Sequence, residues 1–143
     1  MSETKATPKH LWIIGIITLL WNLVGAFDYL MTQTRNETYM SQFEQAQLDY
    51  YYSFPTLVVV FWALAVWGSV MGSVLLLMRK PLAVPVFMVS FASMVITAIY
   101  NFGFSDGMEV MGSSGFVFTV VIFFVALGLV LYARAMRARG VLA

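Results

Sequence analysis

The chain has 143 residues, of which 61% are hydrophobic and only 10% charged, and its net charge is +1. Soluble domains are about a quarter charged, and one of this size cannot bury so much apolar surface, so the solvent of this chain is lipid. The near-zero net charge and the lack of any basic nucleic-acid-reading segment exclude nucleic acid as a partner.

Lys5, Lys9 and His10 precede the first uncharged apolar stretch, residues 11–31, which is interrupted only near its end by Asp28. His10 reads as an interfacial residue flanking that span. Three further stretches follow at 54–78, 82–104 and 115–133. Each is close to the roughly 20 helical residues that cross the ~30 Å hydrocarbon layer. Alternation with a period of two is absent, which removes a β-barrel. Helices are the remaining way to satisfy the backbone in lipid. The predicted fold is an all-α membrane protein, a single four-transmembrane-helix bundle over residues 1–143. The first stretch is too long for the apolar region of a signal peptide, and no A-x-A cleavage site follows it. Pro8, Pro55, Pro81 and Pro85 all fall just before or within the first turns of the spans, where a fixed φ suits a helix start.

Residues 32–53 form the longest polar connection. Tyr39, Phe43, Ala46 and Tyr50 recur there at helical spacing, beside Glu37, Glu44, Gln45 and Asp49. That pattern predicts a short amphipathic helix on the outer surface between spans one and two; a loop with aromatic anchors is the alternative. Asn36-Glu37-Thr38 matches a glycosylation sequon, a match that would be chance if the protein were bacterial.

Charge sets the orientation. Lys5, Lys9, Arg79, Lys80, Arg134, Arg137 and Arg139 lie on one side of a four-span chain, and Arg35 alone on the other. Facing it are Asp28, Glu37, Glu44, Asp49, Asp106 and Glu109. Basic short loops stay in the cytoplasm, so both termini are expected inside. Tyr29, Tyr39, Tyr50, Tyr51, Tyr52 and Tyr100 gather at the outer boundary, and Trp12 and Tyr132 at the inner one, where amphipathic rings prefer to sit.

Small residues inside a membrane helix mark packing faces. Ala65, Gly68, Ser69 and Gly72 make such a stripe in the second span, for packing within the bundle or between copies, with the intrachain role preferred. Gly15, Thr18, Asn22, Gly25 and Tyr29 share a face of the first span, and Ser90, Ser93, Thr97 and Asn101 a face of the third. The fourth span, rich in Phe and Val, is expected to face lipid most.

Polar residues at membrane depth are expensive and therefore candidate functional positions. Asn22, Asp28, Tyr29, Tyr100 and Asn101 are predicted to line an outward-facing polar pocket, roofed by Tyr50, Tyr51 and Tyr52, for a small polar or cationic solute. The competing expectation is that Asp28 and Asn101 cap helices and fix the bundle. Met31, Met40, Met108 and Met111 would suit Cu(I) by their thioethers, but no Cys or His joins them, and no metal or other cofactor is expected. The absence of cysteine and the single histidine remove disulfides, iron–sulfur and thiolate sites, and multi-histidine zinc or bis-histidine haem within the chain. Facing carboxylate pairs, Ser–His arrangements and phosphate loops are missing as well. The chain also lacks the first-helix glutamate of small multidrug exporters and the charged helical core of four-helix glutathione-linked enzymes.

Trp21-Asn22-Leu23-x-Gly25-x-x-Asp28-Tyr29, Tyr51-Tyr52-x-x-Pro55, Trp62-Ala63 through Trp67-Gly68, and Tyr100-Asn101-Phe102 resemble a group of small bacterial four-helix inner-membrane proteins, sometimes labelled sugar-transporter-like. The resemblance covers most of the chain and implies four spans in a bacterial inner membrane. It supplies no catalytic or binding residues, because that group has no established activity. The first expectation for function is a non-enzymatic accessory, stabilising or sensing protein, whose partners are the bilayer and a membrane complex or a second copy. The alternative is a solute-binding or transport protein that uses the Asp28 pocket and acts as an oligomer.

Overall fold

A computed structural model of the chain describes residues 6–143, so Lys5 lies outside the described residues. Six helices follow one another: α1 (Lys9–Gln33), α2 (Glu37–Met40), α3 (Gln45–Tyr52), α4 (Thr56–Leu77), α5 (Ala83–Ile99) and α6 (Gly107–Ala138). A π-helical turn, Tyr100–Phe104, extends α5. No strand occurs among the described residues. Four stretches are long and apolar enough to cross a membrane: α1, α4, α5 with its π turn, and α6. Pro8 and Pro55 stand at the N-caps of α1 and α4, and Pro85 lies in the first turn of α5.

The basic residues collect at one end of the bundle, and specific contacts tie that end together. Arg79 takes the left-handed conformation (φ 57°) after α4 and so turns the chain into α5. Its guanidinium donates to the Thr7 hydroxyl, and its carbonyl accepts from the backbone N–H of Ala143 at 3.1 Å. Gly140 (φ 77°) reverses the chain after α6, with Val141 N–H donating to the Met136 carbonyl at 2.9 Å. This αL ending folds Val141 and Leu142 back into a buried cluster with Leu11, Leu76, Val84, Phe87, Leu129, Ala133 and Met136.

Helix α1 packs on α4, α4 on α5, and α5 on α6. The ring closes differently between α1 and α6, where aromatic side chains bridge the gap: His10 to Tyr132 (centroids 5.6 Å apart) and Trp21 to Phe118 (5.8 Å). The core cluster fills the basic end.

Within the small-residue stripe, Gly68 and Gly72 face α5. A Cβ on Gly68 would lie 3.1 Å from the Ser90 Cβ, and one on Gly72 would lie 2.6 Å from the Phe87 ring. The Ser90 hydroxyl reaches across to donate to the Ala65 carbonyl at 2.6 Å. Close backbone approach replaces hydrophobic drive here, since lipid is as apolar as the helices.

Two features differ from the sequence expectation. The connection between the first two long helices holds two short helices, not one. Asn36 caps α2, its Oδ1 accepting from Tyr39 N–H at 3.0 Å. The Gln47 side chain accepts from Glu44 N–H at 3.1 Å to start α3 afresh. Capping groups at both points interrupt the 39-43-46-50 repeat, and burial of Met40 against the bundle draws the chain inward between them. A helical turn from Gly107 precedes the last span, and Gly112 (φ 72°, ψ −174°) is non-helical and separates the two, so the long helix itself starts just after Gly112, close to the expected residue 115. That backbone region is essentially restricted to glycine. As expected, α6 is the least buried of the four long helices.

Candidate functional site

Towards the acidic end, the four long helices enclose a cavity of about 630 Å³. Asp28, Tyr39, Tyr51 and Asn101 line the part nearer the acidic end, and Phe87, Val125 and Leu129 the deeper part beside the core cluster. Drug-sized ligand sites span roughly 300–1,000 Å³ and combine apolar walls with a few placed polar groups. This cavity has both.

Asp28 is half-buried on α1. Its Oδ1 accepts from the Tyr39 hydroxyl, so α2 is drawn over the acidic end of the first span. The second carboxylate oxygen has no hydrogen-bond donor among the described residues and is not sealed from solvent. Burial first, and then the hydrogen bond to Asp28, pushes the Tyr39 hydroxyl above its ordinary value. Burial followed by the charge of Asp28 does the same to Tyr51. Both phenols stay neutral at physiological pH. No Lys, Arg or His among the described residues lines the cavity, so its ionisable lining is one carboxyl group and two neutral phenols.

Asn22 sits about one and a half turns below Asp28 on the same helix and is buried. Its amide nitrogen donates to the Ser73 hydroxyl at 2.8 Å and to the Ser69 carbonyl at 3.2 Å, which joins α1 to α4. Asn101 occupies the π turn. Its Oδ1 accepts from the Tyr50 hydroxyl at 2.8 Å, and Tyr50 also hydrogen-bonds Ser105 at 2.6 Å. With the Tyr50 proton given to Asn101, the single Ser105 proton is shared between the Tyr50 oxygen and the Tyr100 carbonyl 2.9 Å away. These bonds satisfy the widened turn and lock α3 onto its end. π turns of this kind recur at functional positions.

Of the five residues predicted for the pocket, Asn22, Asp28 and Asn101 line the cavity, and Tyr29 and Tyr100 do not. Adjacent helical residues point roughly 100° apart. Tyr29 is thereby turned from Asp28 onto Trp62 (4.8 Å) and Trp67 (6.4 Å). Tyr100 meets the edge of Phe54 at 5.8 Å. The predicted tyrosine roof divides in the same way. Tyr51 lines the cavity, Tyr50 braces Asn101, and the Tyr52 ring lies 4.3 Å beneath the Arg35 guanidinium. In the small-residue stripe, Ala65 and Ser69 reach the cavity.

Sequence reasoning missed the aromatic wall. Trp21, Phe43, Phe54, Trp62 and Phe118 line the cavity, with Phe54 touching Tyr50, Tyr51, Trp62 and Tyr100 edge-on. It also missed the contribution of α6, where Ser114, Gly115 and Thr119 complete the lining. Among the methionines, Met111 lines the cavity while Met108 is exposed. Comparison with protein-family models, with curated proteins and with solved structures finds no match.

Proposed function

We propose that this chain is a non-enzymatic, multi-pass protein of a bacterial inner membrane that binds a small solute in the cavity between its four long helices. The cavity carries this reading. It has the volume of a ligand site, placed polar groups in Asp28, Tyr39 and Asn101, and an aromatic wall. A bundle stabilised only by polar glue has no need of such a space, because membrane helices gain from close packing. Of the two functions expected from sequence, solute binding is therefore favoured over an accessory or sensing role.

The orientation follows the charges. Lys9, Arg79, Lys80, Arg134, Arg137 and Arg139 support a cytoplasmic basic end and both termini inside. The cavity mouth, α2 and α3 would then face outward. The resemblance noted above supports the bacterial inner membrane. Moving a solute across, as distinct from binding it, would call on a second copy, since four helices offer few elements for alternating access.

Filling the cavity tests this reading. Ala126 lines its inner part, and Ala126→Trp should occupy the space with an indole. In detergent, a panel of small polar, cationic, anionic and neutral solutes is expected to contain binders that raise the Tm of the wild type and leave Ala126→Trp unmoved. A binder that stabilises both chains equally, or a panel without effect on the wild type, would oppose it.

A further inference from the structure

Resting on the solute-binding reading above, we infer that the cavity takes an organic cation: one positive centre carried on a flat or branched apolar body. Three observations on the lining converge on this class. The first is the carboxyl of Asp28, which is held by one hydroxyl donor and keeps its second oxygen without a protein partner. The second is that no Lys, Arg or His among the described residues lines the cavity. Nothing inside could neutralise a bound carboxylate or phosphate, and an anion would meet Asp28 unshielded. The third is the wall of Trp21, Phe54, Trp62 and Phe118. Such rings attract cations through their negative faces, most strongly where water is excluded.

The Asp28 bond to Tyr39 fixes where the charge sits. It holds one oxygen towards α2 and leaves the other free for a ligand. Asn101, with its Oδ1 taken by Tyr50, has its amide N–H groups free of protein acceptors among the described residues. It can donate to a hydroxyl or carbonyl on the ligand beside the positive centre. The inner part, bounded by Phe87, Val125 and Leu129, is apolar and suits the hydrocarbon body. A phospholipid amine matches poorly, because its phosphate would enter the same cavity with no cation to receive it. The ligand is therefore a free cation and not a headgroup.

Tetraphenylphosphonium and tetraphenylborate share a shape and differ in charge, which makes them the probes. Equilibrium dialysis against the full chain in dodecyl maltoside, corrected for protein-free micelles, should give saturable, stoichiometric binding of the phosphonium. Binding of the borate should be at least tenfold weaker. Asp28→Asn keeps an acceptor for Tyr39 and is expected to lose tenfold or more in phosphonium affinity with little change in Tm. If that variant fails to fold, the preference of the wild type for phosphonium over borate still decides the matter. Equal affinity for the two ions, or undiminished affinity in Asp28→Asn, would overturn the cation assignment. Added phosphatidylethanolamine should not displace the phosphonium, and stoichiometric displacement would overturn the free-cation source. The two levels separate cleanly. Binding of the borate or of a neutral solute as tight as that of the phosphonium, and lost in Ala126→Trp, would sink the cation class and leave the pocket standing. If no solute of any charge binds, both fall.

Discussion

Replacing Gly107 with alanine is expected to cost about 3 kcal/mol or more, at the top of the range for overpacking. A Cβ at this position would lie 2.0 Å from the Asn101 carbonyl oxygen, 2.7 Å from its carbon and 3.0 Å from the Tyr50 hydroxyl. Two of those three neighbours are backbone atoms of the π turn, which no side-chain rotation can move aside. The turn itself is pinned by the Tyr50–Asn101 and Tyr50–Ser105 hydrogen bonds, at 2.8 and 2.6 Å. Making room at Gly107 therefore means breaking the contacts that hold α3, α5 and the start of α6 together at the cavity mouth. Thermal unfolding in dodecyl maltoside should show a lowered Tm for Gly107→Ala. Gly128→Ala is the matched control: its Cβ would meet nothing within 4 Å, and its Tm should equal or slightly exceed that of the wild type. A wild-type Tm for Gly107→Ala would show that the π turn does not seat against this glycine.

Gly72→Ala should lower stability by about 1–3 kcal/mol, the usual penalty for an added methyl in a packed interior. Its Cβ would fall 2.6 Å from two carbons of the Phe87 ring. That ring is 2% exposed and belongs to the core cluster with Leu76, Val84 and Leu129, so it can yield only into the cavity it lines or by a separation of α4 from α5. Gly68→Ala, whose nearest neighbour is the Ser90 Cβ at 3.1 Å, should cost less. Shortening the opposing side chain gives the decisive comparison. Phe87→Leu in the Gly72→Ala background is expected to recover stability, whereas the two changes made separately each lose it. Purely additive losses would mean that the two residues are not in contact.

Much of the scaffold was legible in the chain because lipid imposes simple demands. Four uncharged stretches, prolines at their starts and basic residues at alternate connections sufficed for the four long helices. Asn22, Asp28 and Asn101 stood out as polar residues at membrane depth, where retaining them is expensive. What could not be read depended on side-chain direction and on tertiary bonds. Tyr29 and Asp28 are neighbours in sequence but face different partners. Trp21, Phe54, Trp62 and Phe118 look like any lipid-facing or belt aromatics until four helices bring them around one space. The π turn is held by its own C-cap, Ser105, and by Tyr50 from α3. The extra helical turn before Gly112 carried no signal of its own, and Ser114, just after the break, went unread as a lining residue.

The natural absence of cysteine makes the most direct measurement a clean one. Ser69 lines the cavity, while Ser73, one turn nearer the basic end, is 0% exposed. In intact membranes, a positively charged, membrane-impermeant methanethiosulfonate added from the outer side should modify Ser69→Cys quickly and Ser73→Cys hardly at all. Labelling of Ser69→Cys only from the cytoplasmic side, or equal inertness of both positions, would contradict a solute cavity that opens outward past Asp28.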